Sequence, residues 1–325
     1  MKIVLITPAP PLTKLGNRNT AQRWASLLRQ QGHRVSIQQG WVRGNADIML
    51  ALHARRSHPA IRAFADRYPD RALIVALTGT DLYRDIRFDA EAQTSLILAT
   101  RLIVLQEMGL AELTPELQKK THVVYQSAKP LTRKPFKKNT YEICVIGHLR
   151  EEKDPFRCAL ASAHLPDESK ISVHHMGRSM SDPMTQEAYA LMRKLPRYHW
   201  HGELSRGEVR KRLARSRLMV ISSRMEGGAN VVSEALAADV PVIASRISGN
   251  IGMLGEDYEG YYPLADEQSL ATLLLRTEND AQFYERLKEQ CAARKILITP
   301  ERESAGLAQV IRLSMPDSPQ LSPLR

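Results

Sequence analysis

The sequence predicts an α/β protein of two doubly wound, Rossmann-like domains in tandem, and three observations support this fold class. The chain has 325 residues, which is more than one hydrophobic core usually organises. Short apolar runs alternate with amphipathic segments of helical period, as in parallel sheets that helices cover on both faces. A basic segment with two prolines at 126–141 interrupts this alternation, which then restarts.

The individual elements follow from this alternation. In the first half, strands are predicted at 2–6, 34–38, 46–52, 72–77, 101–106 and 121–125, and helices at 20–31, 58–68, 89–99 and 109–119. In the second half, strands are predicted at 141–147, 170–177, 197–202, 217–223 and 240–245, and helices at 155–164, 184–194, 205–215, 229–238, 266–275 and 280–294. A further helix at about 300–314 precedes a tail rich in proline and serine.

These elements predict the domain organisation. We expect an acceptor-side domain over 1–135 and a ligand-binding domain over 136–298. The remainder, 299–325, is predicted to be a helix that packs back on the first domain, followed by a frayed tail. Ligands of doubly wound sheets bind outside the carboxyl ends of the strands, so we expect the site in a cleft between two facing domains.

Composition indicates an ordinary cytoplasmic protein. No apolar run approaches the roughly 20 residues of a membrane-spanning helix, so we expect no stable membrane insertion. The start, MKIVLITPAPP, is predicted to be a strand rather than a signal peptide. Cys144, Cys158 and Cys291 form no CxxC pair, which favours neither a disulfide framework nor a zinc site.

The net charge of +11 is unevenly distributed along the chain. Residues 1–140 contain 22 Lys+Arg and 10 Asp+Glu, whereas 141–325 contain 24 and 25. Such an excess is typical of a solvated basic surface, an anionic substrate or an anionic membrane. Scattered cations and only 6% aromatic residues argue against nucleic acid. The basic amphipathic stretch 20–34 keeps a membrane-surface role open beside packing on a sheet.

Several familiar binding motifs are absent from the sequence. It contains no GxxxxGK[ST], and GNIGMLG (249–255) has the spacing GxxGxxG rather than that of a dinucleotide fingerprint. No Asp-x-Asp pair is present to hold a metal-bound diphosphate, so we expect neither a metal nor another cofactor. The histidines of HH (174–175) and HWH (199–201) are interpreted as strand or surface residues, with metal binding as the alternative.

One strand-to-helix corner combines carboxylates with bare backbone. The stretch SSRMEGGANVVSEALAADVPVIAS (222–245) places Glu226 before two glycines and Glu234 within the helix that follows. Glycines allow a ligand to approach the backbone closely, and N–H groups at a helix start attract anions. A carboxylate can accept from both hydroxyls of a vicinal diol, so Glu234 suits a ribose and Glu226 a hexose. A capped helix with a solvated Glu234 is the alternative.

The spacing E-x7-E resembles that of the family-4 retaining glycosyltransferases of GT-B fold. GHLREEKDP (147–155) resembles that family's cationic diphosphate loop, although His148 stands where relatives have arginine, and PPLTKLGNRNTAQRW (10–24) resembles its N-terminal glycine loop. The resemblance implies a nucleotide-sugar donor, with Lys153, Arg150 and Glu226 as catalytic candidates. It implies donor contacts from Gly16, Lys153, Gly227, Gly228, Ala229, Asn230, Val231 and Glu234.

A narrower resemblance concerns the acceptor. LHARRS (52–57), LTGTDLYRDI (77–86), RLIVLQ (101–106) and VVYQSA (123–128) resemble the selenosugar synthases of selenoneine biosynthesis. This implies transfer from a UDP-hexose, typically UDP-N-acetylglucosamine, to selenophosphate without a metal. The acceptor-side candidates are Asn17, Arg18, His53, Arg55, Thr80 and Asp81. His53 is either a catalytic base or a satisfied strand-end histidine, and Asp81 is expected to orient an arginine or contact the sugar.

Two further functions share the same donor features. A glycosyltransferase with a lipid or small-sugar acceptor should show an apolar patch or membrane association near Trp24. A non-catalytic nucleotide-binding protein would bind UDP without turnover, and the presence of both Glu226 and Glu234 argues against it.

Overall fold

A computed structural model describes residues 1–11, 16–41 and 43–315 and divides the chain into two compact units. The first comprises Met1–Gln126 and the segment that begins at Pro300, and the second is Ser127–Thr299. The division falls earlier than the predicted boundary at 135, so 127–135 belongs to the second unit. Residues 12–15 of the predicted glycine loop and the tail after 315 lie outside the described residues.

A six-stranded parallel sheet forms the centre of the first unit. Its strands are β1 (Lys2–Ile6), β2 (Arg34–Gln38), β3 (Ile48–Leu52), β4 (Ala72–Ala76), β5 (Arg101–Val104) and β6 (Thr121–Val123), in the order β2-β1-β3-β4-β5-β6. Its helices include α1 (Gly16–Gln30), α2 (His58–Arg67), α3 (Ile86–Phe88), α4 (Ala90–Leu98) and α5 (Pro115–Gln118). The strand order reverses direction between β1 and β3, which is where ligands of such sheets bind.

The second unit repeats this architecture. Its strands are β7 (Tyr141–Ile146), β8 (Ile171–Met176), β9 (Tyr198–Trp200), β10 (Leu218–Ile221), β11 (Val242–Ser245) and β12 (Tyr261–Tyr262), in the order β12-β11-β10-β7-β8-β9. Its helices are α6 (Arg157–Ser162), α7 (Asp182–Lys194), α8 (Arg206–Arg215), α9 (Asn230–Ala237), α10 (Ser248–Leu254), α11 (Glu267–Asn279) and α12 (Ala281–Arg294). The strand order reverses between β7 and β10.

Central strands such as β3 and β4 are buried along their whole length, because helices cover both faces of each sheet. In the first unit, α13 (Pro300–Ser314) packs with α1 on one face of the sheet. The buried carboxylate of Glu303 accepts bonds from Arg23 Nε at 2.9 and 3.0 Å and from Trp24 Nε1 at 2.7 Å. Trp24 is fully buried, so this side of α1 is packed in the core. Among the described residues, no helix combines the length and the apolar character needed to cross a membrane.

Three local predictions differ from the structure. The predicted helix 109–119 is a short 3-10 segment, Glu107–Glu112, followed by α5, because Pro115 cannot continue a helix but can begin one. Helix α10 and strand β12 were not predicted. The two glycines of α10 lower its helix propensity, and its position is set instead by close packing, described below.

Candidate functional site

Two predicted site residues meet where the order of the second sheet reverses. Lys153 follows β7 and Glu226 follows β10, and these strands are adjacent and parallel. The ammonium group of Lys153 contacts Glu226 Oε1 in an ion pair. Glu226 is only 8% exposed. The structure therefore brings the predicted cationic loop and the first carboxylate of E-x7-E into direct contact.

Hydrogen bonds lock these two loops together. The Ser222 hydroxyl donates to the carbonyl oxygens of Lys153 at 3.1 Å and Asp154 at 2.8 Å. The Arg224 backbone N–H donates to the Glu152 carbonyl at 2.9 Å. The contact between Lys153 and Glu226 thus rests on a fixed backbone scaffold rather than on two mobile side chains.

The corner after Glu226 leads directly into α9. Gly227 and Gly228 precede Ala229, which is the N-cap residue and supplies no side-chain cap. Asn230 and Val231 form the first turn and are half-buried. An eight-residue helix that starts this way directs backbone N–H groups and the positive end of its dipole toward its N-terminus, which favours an anion there.

Glu234 lies on the second turn of α9 and is partly exposed. One of its carboxylate oxygens is 3.7 Å from Arg206 Nη2 at the start of α8. Arg206 was not predicted from the sequence, because it lies 20 residues before Glu226 and outside the E-x7-E motif.

Two glycines hold the site by allowing backbones to approach closely. A Cβ at Gly249 of α10 would lie 2.0 Å from the Glu226 carbonyl oxygen. A Cβ at Gly177, which follows β8 with a φ of 159°, would lie 1.8 Å from the Gly147 carbonyl oxygen. The close approach shows that Gly249, in the GNIGMLG segment, packs beneath the corner. Neither glycine's role was predicted from the sequence, because the contacting residues are distant in the chain.

The loop after β7 places His148 beside the cationic side chains of Arg150 and Lys153. His148 is half-buried, and its Nδ1 accepts from the Arg178 backbone N–H at 3.1 Å. Burial is the main cause that lowers the pKa of His148, and Arg150, Arg178 and Lys153 lower it further against the opposing effect of Glu203. Arg150 Nε is buried without a hydrogen-bond partner among the described residues. His148 therefore stays neutral while Arg150 supplies a cation.

The clustered histidines of the second unit are packing residues. His174 Nδ1 is 3.0 Å from His201 Nε2, and the His174 ring stacks on those of His199 and His201. His175 is buried between the Tyr198 hydroxyl and the Gly147 carbonyl, each 3.0 Å away. Within the described part of the chain, no group of three His, Cys, Asp or Glu side chains could hold a metal ion.

A cavity of about 730 Å³ lies elsewhere on the second unit. Its lining includes Tyr141 at the start of β7 and Arg217 just before β10. It therefore lies at the amino ends of these strands, whereas doubly wound sheets bind ligands at the carboxyl ends, and we do not assign it as the site.

In the first unit, His53 and Asp81 lie at the carboxyl edge of the sheet. His53 follows β3, and its Nε2 is 3.1 Å from Thr80 Oγ1. Asp81 is fully buried and accepts backbone N–H groups of Ala54, Thr78 and Gly79 at 2.9–3.0 Å. Among the described contacts Asp81 thus braces two loops and pairs with no arginine, while its predicted contact with the sugar stays a prediction.

Acidic residues other than Asp81 pair with the arginines at the carboxyl edge of the first sheet. Arg55 Nε pairs with Asp89 at 2.8 Å, and Arg55 Nη1 lies 3.9 Å from Asp85. Arg84, which the sequence analysis missed, pairs with Asp85 at 2.9 Å. Both guanidinium groups remain about half exposed.

The remaining acceptor-side candidates, together with Gly16, lie at the start of α1. Gly16 is exposed, and Asn17 and Arg18 occupy the first turn. Arg18 Nε is buried without a hydrogen-bond partner among the described residues. No described hydrogen bond or ion pair joins Asn17 or Arg18 to His53 or Arg55, but the two groups follow β1 and β3, which are adjacent parallel strands.

The division into units changes the charge argument. Residues 1–126 contain 17 Lys+Arg and 10 Asp+Glu. Five cations counted in the basic first half, at positions 129, 133, 134, 137 and 138, belong to the second unit. The excess of positive charge is therefore shared by both units.

Comparisons with known proteins agree with the fold of both units. Residues 129–294 match the model of the family described as glycosyl transferases group 1. HepE of Anabaena, solved with UDP-glucose, has a TM-score of 0.78 and 13% identity, covering 96% of this chain and 99% of that chain. Sucrose-phosphate synthase of Thermosynechococcus elongatus has a TM-score of 0.77 and 15% identity, covering 96% and 98%. A glycosyltransferase of Rickettsia africae has a TM-score of 0.70 and 12% identity, covering 98% and 99%. The predicted class, two Rossmann-like domains of GT-B type, is confirmed.

Proposed function

Because this chain belongs to the group 1 glycosyl transferases, we propose that it transfers a hexose from a UDP-sugar, with UDP-N-acetylglucosamine as the donor, to selenophosphate. The product is a 1-selenosugar of selenoneine biosynthesis. The contact between Lys153 and Glu226 carries the donor half of this proposal, because it joins a cation for the diphosphate to a carboxylate for the hexose. Structures of similar fold were solved with UDP or UDP-glucose, which supports a uridine donor.

The residues of the second unit suit departure of a diphosphate. As the sugar–phosphate bond breaks, negative charge grows on the leaving oxygens. An ammonium group has three N–H donors, so Lys153 can bind phosphate oxygens while it keeps its bond to Glu226. Arg150 and the N-terminus of α9 add donors that are already in place, which is the kind of electrostatic stabilisation that lowers barriers most.

These cations can neutralise the leaving group without a divalent ion, and we therefore propose that the reaction is metal-independent. Activity should persist in EDTA. A rate that collapses in the chelator and returns with Mg²⁺ or Mn²⁺ would contradict this part of the proposal. The rate of Lys153→Gln, measured in EDTA and again with Mg²⁺ or Mn²⁺, shows whether a metal ion has taken over the role of the lysine.

The acceptor half rests on the resemblance of the first unit and on its exposed arginines. Arg55 and Arg84 both lie near the Asp85 carboxylate at the carboxyl edge, and their half-exposed guanidinium groups suit an anion. The alternative of a lipid acceptor called for an apolar patch near Trp24. Trp24 is fully buried and bonded to Glu303, so its own side chain contributes to no exposed apolar patch.

Product analysis by mass spectrometry tests the proposal. The protein is supplied with UDP-N-acetylglucosamine, UDP-glucose and selenophosphate together, and the expected product is a hexose joined to selenium. Glycosylation of a lipid or sugar from an extract, with selenophosphate untouched, would favour the alternative acceptor. Binding of UDP without any turnover would point to a non-catalytic protein.

A further inference from the structure

The end of β3 holds a histidine in an uncommon backbone conformation. His53 has a φ of 74°, in the left-handed region that residues with a Cβ rarely adopt. Its side chain is only 2% exposed. Backbone strain of this kind persists only where the surrounding structure imposes it, and it is concentrated at functional sites.

The hydrogen bonds of His53 determine which ring nitrogen carries the proton. The Arg56 backbone N–H donates to Nδ1 at 3.2 Å, so Nδ1 presents its lone pair. In the neutral ring the proton then lies on Nε2. Since Nε2 is 3.1 Å from Thr80 Oγ1, the ring donates to the threonine hydroxyl.

This bond leaves the proton of the Thr80 hydroxyl available to a ligand. Among the described residues, His53 is the hydrogen-bond partner of Thr80 Oγ1, and its nitrogen acts as the donor. A half-buried hydroxyl that already accepts one bond can donate its own proton elsewhere. Together with Arg55 and Arg84, the edge offers hydrogen-bond donors, which is the recognition chemistry of an oxyanion.

We propose that His53 is a positioning residue, which orients the Thr80 hydroxyl as a donor toward an oxyanion acceptor, and that it is not the general base of the transfer. This inference rests on the proposed function. A base would need a bare nitrogen that faces the acceptor, whereas Nδ1 faces the Arg56 backbone and Nε2 faces Thr80. An acceptor that attacks as an anion has no proton to remove.

The charged groups around His53 are compatible with a neutral ring. Asp81 lies 3.9 Å from Nδ1, and Asp85 lies 3.9 Å from Nε2. Burial is the largest effect and lowers the pKa of His53, while Asp81 and Asp85 raise it and Arg56 lowers it. Arg55 and Arg84 lie near Asp85 Oδ1, whereas Oδ2 is the oxygen that faces the ring.

The first test needs no enzyme activity. NMR of the full chain with ¹⁵N-labelled histidine, at pH 7, reports the tautomer of each ring, and loss of one signal in His53→Asn assigns it. We expect His53 to be neutral and protonated on Nε2. A ring protonated on Nδ1, or an imidazolium, would overturn the inference whatever the acceptor proves to be.

The second test compares matched variants. Thr80→Val removes the hydroxyl and should raise the acceptor KM about tenfold, as for one lost hydrogen bond to a charged group, whereas Thr80→Ser should stay closer to wild type. His53→Asn keeps an N–H donor and tolerates a left-handed backbone, so its acceptor KM should rise less than that of His53→Leu. A kcat that falls about 100-fold in His53→Asn, with loss of the acid limb of the pH profile, would identify a base instead.

Calorimetry with inorganic phosphate separates failure of the inference from failure of the proposed function. Phosphate should bind wild type more tightly than Thr80→Val by about tenfold. If selenophosphate is not glycosylated, the proposed acceptor is wrong, but the phosphate result still decides the role of Thr80. Equal phosphate affinity in wild type and Thr80→Val would overturn the inference.

Discussion

The carboxyl edges of the two sheets contain similar residues that are used differently. In the second unit, Glu226 is nearly buried, yet its carboxylate is paired with the side chain of Lys153. In the first unit, Asp81 is fully buried and its carboxylate is bonded to backbone N–H groups. The Glu226 carboxylate belongs to a cation–carboxylate pair that suits a ligand. The Asp81 carboxylate organises loops that carry hydrogen-bond donors. The residue type alone therefore does not reveal the role.

The largest expected effect concerns Lys153. Lys153→Ala should lower kcat and kcat/KM together by about 100–1000-fold, because it removes a donor that acts mainly in the transition state. Steady-state kinetics measures both constants. Lys138→Ala, an exposed lysine of the same unit, is the control and should match wild type. A rise in KM alone would mean that Lys153 only binds the donor.

Glu234→Ala should weaken UDP binding by roughly 1.5–3 kcal/mol, as expected for loss of a charged hydrogen bond to the ribose. Calorimetry with UDP measures this directly. Glu285→Ala, an exposed glutamate on α12, controls for the change in net charge. An unchanged affinity in a folded Glu234→Ala protein would remove Glu234 from the donor site.

Gly249→Ala tests the packing beneath the donor corner. A methyl group 2.0 Å from the Glu226 carbonyl should force a backbone shift, lower the free energy of unfolding by about 1–3 kcal/mol and weaken UDP binding. Gly207→Ala is a matched control, since Gly207 is likewise the second residue of a helix but its Cβ would meet open space. It should stabilise the protein by about 0.5–1 kcal/mol. Equal melting temperatures for the two variants would contradict the close approach.

The pH dependence of stability tests the support of the Gly147 loop. Burial lowers the pKa of His175 from 6.5 to about 4, so the unfolded chain binds a proton first as the pH falls. Between about pH 6.5 and pH 4 the unfolded state holds more protons, and the free energy of unfolding should therefore fall, with His175 alone contributing on the order of 2–3 kcal/mol. Chemical denaturation at pH 7, 5.5 and 4.5 measures this slope. In His175→Gln the free energy of unfolding should depend less steeply on pH. An unchanged slope would mean that other groups cause the loss of stability at low pH.

The smallest expected effects concern the acceptor side. Arg18→Ala and Arg55→Ala should each raise the acceptor KM by about three- to tenfold and leave UDP affinity unchanged, because they remove one partly exposed cation. Phosphate should compete with the acceptor, and added salt should weaken acceptor binding. Arg62→Ala, an exposed arginine paired with Asp66 on α2, is the control. A wild-type acceptor KM in both variants would show that these arginines are ordinary surface residues.

Local patterns predicted most of the fold. Every predicted strand has a counterpart within a few residues, because buried parallel strands are short continuous apolar runs. The corner from Glu226 to Glu234 could also be predicted as a local arrangement, since these residues are close in sequence and span a single strand-to-helix turn, and its role in donor binding stays a prediction. The helices that were predicted incorrectly also have local causes. Pro115 divides one predicted helix, and the glycines of α10 weaken the sequence signal of a helix that was not predicted.

The sequence by itself determined the alternation of strands and helices and the chemistry available at each loop, since both depend on neighbouring residues. Only the tertiary structure decided which loops meet. Lys153 and Glu226 are 73 residues apart, and they touch because the sheet order places β7 beside β10. The same order brings Gly249 beneath Glu226 and directs the Asp81 carboxylate toward the backbone. Strand order depends on how whole layers pack, and no local pattern encodes it.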